Sequence, residues 1–412
     1  MRYTVVMVAT SYPRFPGDTI GTFMEPIAKG VAARGHTVHL VAPWHPRLDR
    51  RPVEDGVHFH FFPYAPVAAL NVFGYSGALR ADVSLRGAAW IAAPLAVGAG
   101  VLAARRVARR VGAHVMHGHW VIPGGAIAHW ARPRLPLVVS LHGSDVYVAE
   151  RHASVGRVAR SVFRHAGWTT ACSADLRDRA LRLGASPERS DVVPYGVNAD
   201  EFRPDPVRRR DYRARLGIAA DAPVLFAAGR FVRKKGFEYL LEAVAQLAVG
   251  WPSLTLILGG AGDLEGELVA LARSLGVASR VAFPGVLSHG DVARALAAAD
   301  LAIVPSVRDD AGNVDGLPNV VMEALASGTA LVTTTAGGIG AVTRHGETAW
   351  HVRERSPEDL AAAVDALLRQ PAARAALGSA ARADVLARHT WAQVAARMEA
   401  AYDEAVGARR GA

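Results

Sequence analysis

Short runs of aliphatic and β-branched residues recur along this chain, each followed by a longer segment whose apolar positions return every three or four residues. Tyr3–Ala9 is such a run, and Phe23–Arg34 carries the helical spacing and stops at Gly35. Thr37–Ala42, Gly56–Phe62, Val111–Met116, Leu137–Leu141 and Thr169–Ala171 continue the series as expected strands. Brief apolar runs that alternate with helical segments predict strands buried on both faces, and hence a parallel sheet between helical layers. The segment Val193–Pro206, rich in Pro, Gly, Asn and Asp, interrupts the rhythm as a connector. The alternation then restarts. Val224–Ala228, Leu254–Leu258, Val281–Phe283, Leu301–Val304 and Ala330–Thr333 read as strands. Gly236–Ala248 and a segment from about Leu264 read as helices, and Trp391–Gly407 is an amphipathic final helix. The expected fold is α/β, with two doubly wound domains of similar size and a cleft between them. In such sheets ligands gather at the carboxyl ends of the strands.

Length agrees with two domains, since 412 residues exceed one ordinary core. Hydrophobic residues make up 51% and charged residues 20%, which suits a globular chain and excludes bulk disorder. Cys172 is the only cysteine, so no internal disulfide can form. The opening residues, MRYTVVMVATSYPRFPGD, lack the apolar core and cleavage site of a signal peptide and read as a first strand, from which a cytoplasmic location is expected.

The charge is uneven. Residues 1–200 hold 23 Arg and Lys against 13 Asp and Glu, whereas residues 201–412 hold 24 against 24, so the whole net of +10 falls in the first half. Such asymmetry points to an anionic partner for that half, although 44 of 47 basic residues are Arg and a general arginine bias contributes. The uncharged stretch Gly87–Ala104 nearly reaches spanning length, but it contains Pro94 and is followed by Arg105, Arg106, Arg109 and Arg110. A helix that is buried, or lies on anionic lipid at the inner membrane face, fits it better than a span.

Two groups of residues carry candidate chemistry. Gly229-Arg-Phe-Val-Arg-Lys-Lys-Gly236 follows an apolar strand directly and contains two of the three lysines in the chain. An arginine fork and a lysine point charge on one strand-end loop suit the two phosphates of a diphosphate. The second group is Asp315-Gly-Leu-Pro-Asn-Val-Val-Met-Glu323, closed by Gly328. Pro318 suits the first turn of a helix and Gly328 its C-terminal cap, which puts Glu323 in the helix and Asp315 in the loop before it. The free N–H groups of such a helix favour phosphate, and the two carboxylates would accept hydrogen bonds from ribose and sugar hydroxyls.

Taken with Gly337-Gly338-Ile339, these groups resemble the large retaining glycosyltransferase family 4, of GT-B fold. The likeness continues through Ser11-Tyr-Pro…Gly21-Thr-Phe, Arg34-Gly-His-Thr-Val, His117-Gly-His-Trp120, Leu141-His-Gly-Ser-Asp145 and Val193-Pro-Tyr-Gly-Val-Asn198…Phe202, so it spans essentially the whole chain. The resemblance implies two Rossmann-like domains facing across a cleft. Residues 1–195 would form the acceptor-side domain, joined by a returning helix over 391–412, and residues 205–390 the nucleotide-sugar donor domain. It implies transfer of a hexose from a UDP- or GDP-linked donor to a glycan or lipid-linked acceptor with retention, using no further cofactor, no metal and no nucleic acid.

The roles it implies are specific. Arg230 and Lys235 would hold the donor diphosphate, Glu323 the ribose hydroxyls and Asp315 hydroxyls of the transferred sugar. His142 would lie beside that sugar near the reacting carbon. The Gly21 loop would close over the phosphates, backbone around Val286 would line the base pocket, and backbone at Asn319 and Val320 would meet the phosphates or sugar. His142, Asp315, Arg230 and Lys235 are thus the expected catalytic set. Two departures stand out. The family usually has Glu where Asp315 stands, which bears on sugar identity, and Gly17 and Gly21 are separated where paired glycines are common.

Other readings compete. His114, His117 and His119 invite a metal site, but no Asp, Glu or Cys nearby completes a shell. Asp145 could orient His142 or cap the following helix. A dinucleotide oxidoreductase needs G-x-G-x-x-G after a strand, and the first strand is followed by SYPRFPGD, while Gly259-Gly-Ala-Gly262 is only a partial match. A two-domain sugar-binding protein without catalysis predicts a signal peptide and no diphosphate loop. A GT-B sugar epimerase or phosphorylase shares the expected fold.

Overall fold

The valine-rich run at the start forms the strand β1 (Thr4–Val8), whose residues are almost wholly buried. In a computed structural model, which describes residues 1–18, 20–65, 71, 79–80, 84–85 and 87–410, the chain divides into two units. The first comprises Met1–Pro194 with Trp391–Ala412, and the second Tyr195–Thr390.

The first unit contains β1, β2 (Thr37–Pro43), β3 (Val53–Glu54), β4 (Val57–Phe62), the short antiparallel pair β5 (Leu79–Arg80) and β6 (Ser84–Leu85), β7 (Val115–His119), β8 (Leu137–Leu141), β9 (Trp168–Ala171) and β10 (Ser190–Val192). Its main sheet has the order β10-β9-β8-β7-β1-β2-β4-β3, parallel except where β3 pairs with β4. The chain leaves β1 in one direction and returns to β7 on the other side. The topological switch point therefore lies between β1 and β7, where ligands bind in open α/β sheets. Val5, Met7, Leu40 and Val138 build the core, and Met398 and Tyr402 of the final helix complete it. That helix, Trp391–Arg410, is anchored by Tyr3 Oη donating to Asp403 at 2.6 Å and by an Arg34–Glu399 ion pair. The last two residues of the expected range lie outside the described residues.

One strand differs from its expected position. The helix that starts at Gly87 continues to Arg110 and turns at Gly112, whose φ of 61° favours glycine. The strand thus begins at Val115 rather than Val111 and carries His117 and His119 inside the sheet. The same helix is neither wholly buried nor a span. Ala92, Ala96, Ala104 and Val107 face inward, while Leu95 and Leu102 are 52% and 70% exposed alongside Arg105, Arg106, Arg109 and Arg110. Among the described residues no helix is long and apolar enough to cross a membrane.

The second unit has a six-stranded parallel sheet of β11 (Val224–Ala228), β12 (Thr255–Gly259), β13 (Val281–Ala282), β14 (Leu301–Val304), β15 (Ala330–Thr333) and β16 (Trp350–His351), in the order β13-β12-β11-β14-β15-β16. Here the switch point falls between β11 and β14. Leu225, Leu256, Leu258, Phe237, Leu241 and Val364 fill one side of this sheet. The partial glycine motif Gly259–Gly262 has a packing role: Phe231 N donates to Ala261 O at 2.9 Å and Gly229 N to Gly259 O at 3.0 Å, locking the turn against the loop after β11.

Candidate active site

The loops at the two switch points hold most of the residues singled out by sequence, a set in each unit, whereas Val286 follows the edge strand β13. In the second unit the loop after β11 is drawn onto the loop after β14. Gly236 has a φ of 65° and stands so close to Pro305 that a Cβ would lie 2.1 Å from its carbonyl oxygen. Val307 N donates to Lys234 O at 2.9 Å, which holds the two loops edge to edge.

This closeness sorts the loop's four charges. Arg233 turns outward to Glu267, and Arg230 is exposed at the strand end. Lys234 and Lys235 turn inward, with their ammonium groups 3.0 and 2.7 Å from the two carboxylate oxygens of Asp315. Gly229 leaves room for Lys235 to lie across it, since a Cβ there would sit 3.1 Å from Lys235 Cε. Burial alone pushes the Asp315 carboxyl up, but the two ammoniums overcome it and hold the group well below the usual carboxylate range. Gly337, at a φ of 63°, packs on the Asp315 backbone, where a Cβ would be 1.9 Å from the carbonyl oxygen. This explains the glycine pair beside the acidic motif.

The helix Asn319–Ser327 begins one residue later than expected, with Pro318 at its cap in an extended conformation and no side-chain cap bond. The first backbone N–H groups, at Asn319 and Val320, open the helix just after the Asp315 loop. Gly328, in the left-handed region at a φ of 65°, ends it as expected. Glu323 lies in this helix and is buried, and burial pushes its carboxyl up to about 7. His289 Nε2 lies 3.6 Å from Glu323 Oε1. The sequence reading did not single out Lys234 or His289. A second lysine next to the first was a visible signal, whereas His289, at the start of another helix, left none. Val286 follows Gly285 on an open loop and is 63% exposed.

In the first unit, His142 follows β8 and His119 ends β7, its parallel neighbour. Their rings stack at 5.3 Å, with His119 Nδ1 3.0 Å from His142 Nε2. Phe23 and Trp120 touch the same His142 ring, at centroid distances of 4.8 and 5.0 Å. Burial holds the His142 imidazole down at about 3, so it is neutral at physiological pH. His117 has an internal role: its nitrogens meet Tyr402 Oη at 2.9 Å and Ser140 Oγ at 2.8 Å. Among the described residues no group of His, Cys, Asp or Glu is placed to hold a metal ion. Asp145 Oδ2 accepts from Val121 N at 2.5 Å, tying the turn after β7 to the helix Ser144–Arg151. Gly21, at a φ of 67°, packs its backbone on Ser11, and Met24 N donates to its carbonyl at 2.9 Å.

Comparison with known proteins shows the family and the fold. Residues 208–384 match the family model of the glycosyl transferases group 1, and residues 18–196 that of the glycosyl transferase 4-like domain. The chain is 30% identical to the GDP-mannose-dependent alpha-(1-6)-phosphatidylinositol monomannoside mannosyltransferase of Mycobacterium tuberculosis, over 71% of this chain and 77% of that protein. It is 33% identical to D-inositol 3-phosphate glycosyltransferase 1 of Catenulispora acidiphila, over 72% and 73% respectively. Sucrose-phosphate synthase from Thermosynechococcus elongatus, at 20% identity, shares the fold with a TM-score of 0.78 over 98% of both chains. The fold is GT-B, and the chain belongs to glycosyltransferase family 4. It is an enzyme of the hexosyltransferase class that uses a nucleotide-linked sugar.

Proposed function

We propose that this enzyme transfers a hexose from a UDP- or GDP-linked donor to a lipid-linked or glycan acceptor, with retention of anomeric configuration. The observation that carries the reading is the pair of ammonium groups within 3.0 Å of the buried Asp315 at a strand-end switch point. Two lysines that share one carboxylate leave a surplus positive charge, and a diphosphate is the ligand that neutralises it. Arg230 at the loop entrance and the N–H groups of Asn319 and Val320 add donors to the same charge. Glu323 then takes the ribose hydroxyls, Asp315 the sugar hydroxyls, and backbone near Val286 the base. His142 and the Gly21 loop take the sugar and phosphate roles that the family resemblance implies. On this reading the second unit is the donor domain and the first the acceptor-side domain.

Leaving-group charge on the departing nucleotide is stabilised by Arg230, Lys234, Lys235 and the helix end, so transfer should proceed without a divalent ion. Enzyme treated with EDTA and desalted is expected to keep its full rate. A loss restored only by Mg²⁺ or Mn²⁺ would contradict this. A thermal-shift panel of UDP, GDP and their sugars tests the donor, since a ligand that binds only the folded state raises its melting temperature. Nucleotide release that depends on an added acceptor separates a transferase from an epimerase or a phosphorylase.

The acceptor reading rests on the first unit. Both curated relatives carry inositol-bearing acceptors in their names, and a phosphorylated or lipid-borne acceptor matches the excess of Arg in residues 1–200. The exposed Leu95 and Leu102, followed by four arginines on the same helix, form the kind of face that lies on anionic lipid. The protein is expected to float with phosphatidylglycerol vesicles and not with phosphatidylcholine vesicles. The double substitution Leu95→Glu, Leu102→Glu should abolish flotation and leave nucleotide binding intact. Equal flotation of both proteins would remove this helix from the membrane contact.

A further inference from the structure

We propose that His289 is a ribose-recognising residue of the donor site, which together with Glu323 clasps one hydroxyl of the nucleotide's ribose and so selects ribonucleotide donors over deoxy forms. The proposal rests on the reading above that Glu323 takes the ribose hydroxyls, and every group it invokes belongs to the second unit.

The Glu323 side chain is buried, with the whole residue 7% exposed, and burial is what raises its carboxyl. Among the described residues no hydrogen bond reaches that carboxyl. Buried polar groups are ordinarily paired, and one left unpaired costs stability, so this carboxyl suits a ligand that supplies the missing bond. The imidazole of His289 stands beside it, with Nε2 3.6 Å from Oε1. That separation is too long for a hydrogen bond, so neither group spends its bonding capacity on the other. A third oxygen at about 2.8 Å from both would complete a triangle. A hydroxyl fits that place best. It donates once and also accepts, so it gives its proton to whichever of the two is bare and receives one from whichever is protonated. A carbonyl oxygen could only accept, and would leave an ionised Glu323 unpaired.

The fold holds His289 at this place from both directions along the chain. Upstream, Leu287 packs on the end of β12, where a Cβ on Gly259 would lie 2.6 Å from Leu287 Cδ1, and Gly260 N donates to Gly285 O at 2.8 Å. Downstream, Ser288 caps the helix His289–Ala298: its Oγ accepts from Asp291 N at 3.1 Å and donates to Asp291 Oδ2 at 2.6 Å. The His289 ring meets the buried Phe202 ring edge to face, at a centroid distance of 5.8 Å and 79° between planes. Arg382 Nη1 donates to Phe202 O at 3.0 Å and also to Ala326 O. One arginine thus joins the residue that braces His289 to the helix that carries Glu323. His289 follows Val286 by three residues, a reach of at most about 11 Å. It therefore links the loop proposed for the base to the carboxyl proposed for the ribose.

The test measures nucleotide binding to the full-length enzyme by calorimetry, with UDP and GDP each beside its 2′-deoxy and 3′-deoxy form. For the tighter-binding base, the parent is expected to favour the ribonucleotide over at least one deoxy form by about 10²-fold, because loss of the hydroxyl leaves buried polar groups unpaired. His289→Phe keeps a ring against Phe202 and removes the nitrogens, whereas His289→Gln keeps a group that both donates and accepts. His289→Phe should cut the preference to about 10-fold and raise the donor KM by about 10-fold with kcat within about 2-fold, as when binding common to ground and transition states is lost. His289→Gln should restore the preference to within about 3-fold of the parent. A His289→Phe enzyme with the parent's preference overturns the proposal and leaves Glu323 as the ribose group. A parent that binds both deoxy forms as tightly as the ribonucleotide instead dismisses the ribose role of Glu323, so the two failures can be told apart.

Discussion

Replacing Lys235 with alanine is expected to lower kcat by about 10²-fold, the usual loss when one group that stabilises developing charge is removed. The structure explains why this effect should exceed that of its neighbours. Of the loop's four cations, Arg233 is committed to Glu267 on the surface, and Arg233→Ala should leave the rate nearly unchanged. Lys234 and Lys235 share Asp315, with Lys235 at the shorter distance of 2.7 Å and lying across Gly229 at the end of β11. Lys234→Ala should therefore cost less, about 10-fold, because Lys235 remains paired and in place. The double variant would leave the buried Asp315 carboxylate unpaired, which is strongly destabilising. Its melting temperature must be measured beside its rate. Steady-state kinetics with a saturating nucleotide-sugar donor reads the effect, and a Lys235→Ala enzyme with the parent kcat would remove this lysine from the site.

Much of this arrangement was legible in the sequence, for a physical reason. Short apolar strands set their own limits, so β2, β8, β11, β14 and β15 begin at or within a residue of the expected positions. The Gly229–Gly236 and Asp315–Glu323 groups could be read because each lies at a strand or helix end, where a charge has no structural excuse. What the sequence left open depends on contacts between distant loops. The Lys234–Asp315 pair exists because Gly236 sits against Pro305, 69 positions along the chain, and nothing local to Lys234 predicts it. The shift of β7 has the same origin. Val111 is as apolar as Val115, and only the helix that runs to Arg110 and the turn at Gly112 decide between them. The histidine pair at His119 and His142 is likewise a product of the β7–β8 register.

Asp315 also gains meaning from this pairing. A Glu at that position would carry its carboxylate one methylene further than the two ammonium groups now hold it. The shorter Asp315 meets both Lys234 and Lys235, so on the proposed roles the diphosphate and the sugar hydroxyls would call on the same three charged groups.

Glu323→Gln should move stability and donor binding in opposite directions. The Glu323 carboxyl is held at about 7 in the folded chain, raised by burial from the 4.5 of a free side chain. The folded state thus binds this proton more tightly than the unfolded state. The associated stability is complete below about pH 4.5 and is lost as the pH rises through about 7. At pH 8 the enzyme carries a buried carboxylate at a cost of up to about 3 kcal/mol, from roughly 1.4 kcal/mol per unit of displacement. Glutamine is neutral and nearly the same shape, so Glu323→Gln should melt several degrees above the parent at pH 8 and show no gain at pH 5. Yet the carboxylate is the proposed acceptor for two ribose hydroxyls, and an amide can offer only one oxygen. The donor KM should rise by about 10-fold or more, as when a hydrogen bond to a charged group is lost. For the parent, donor affinity should improve between pH 6 and 8 as Glu323 ionises, and the variant's should stay flat over that range. His289 Nε2 lies 3.6 Å from the Glu323 carboxylate. A variant that gained stability at pH 8 while keeping the parent's donor KM would show that Glu323 is buried for packing alone. A carboxyl kept buried at a cost to folding is otherwise best explained by the ligand it serves.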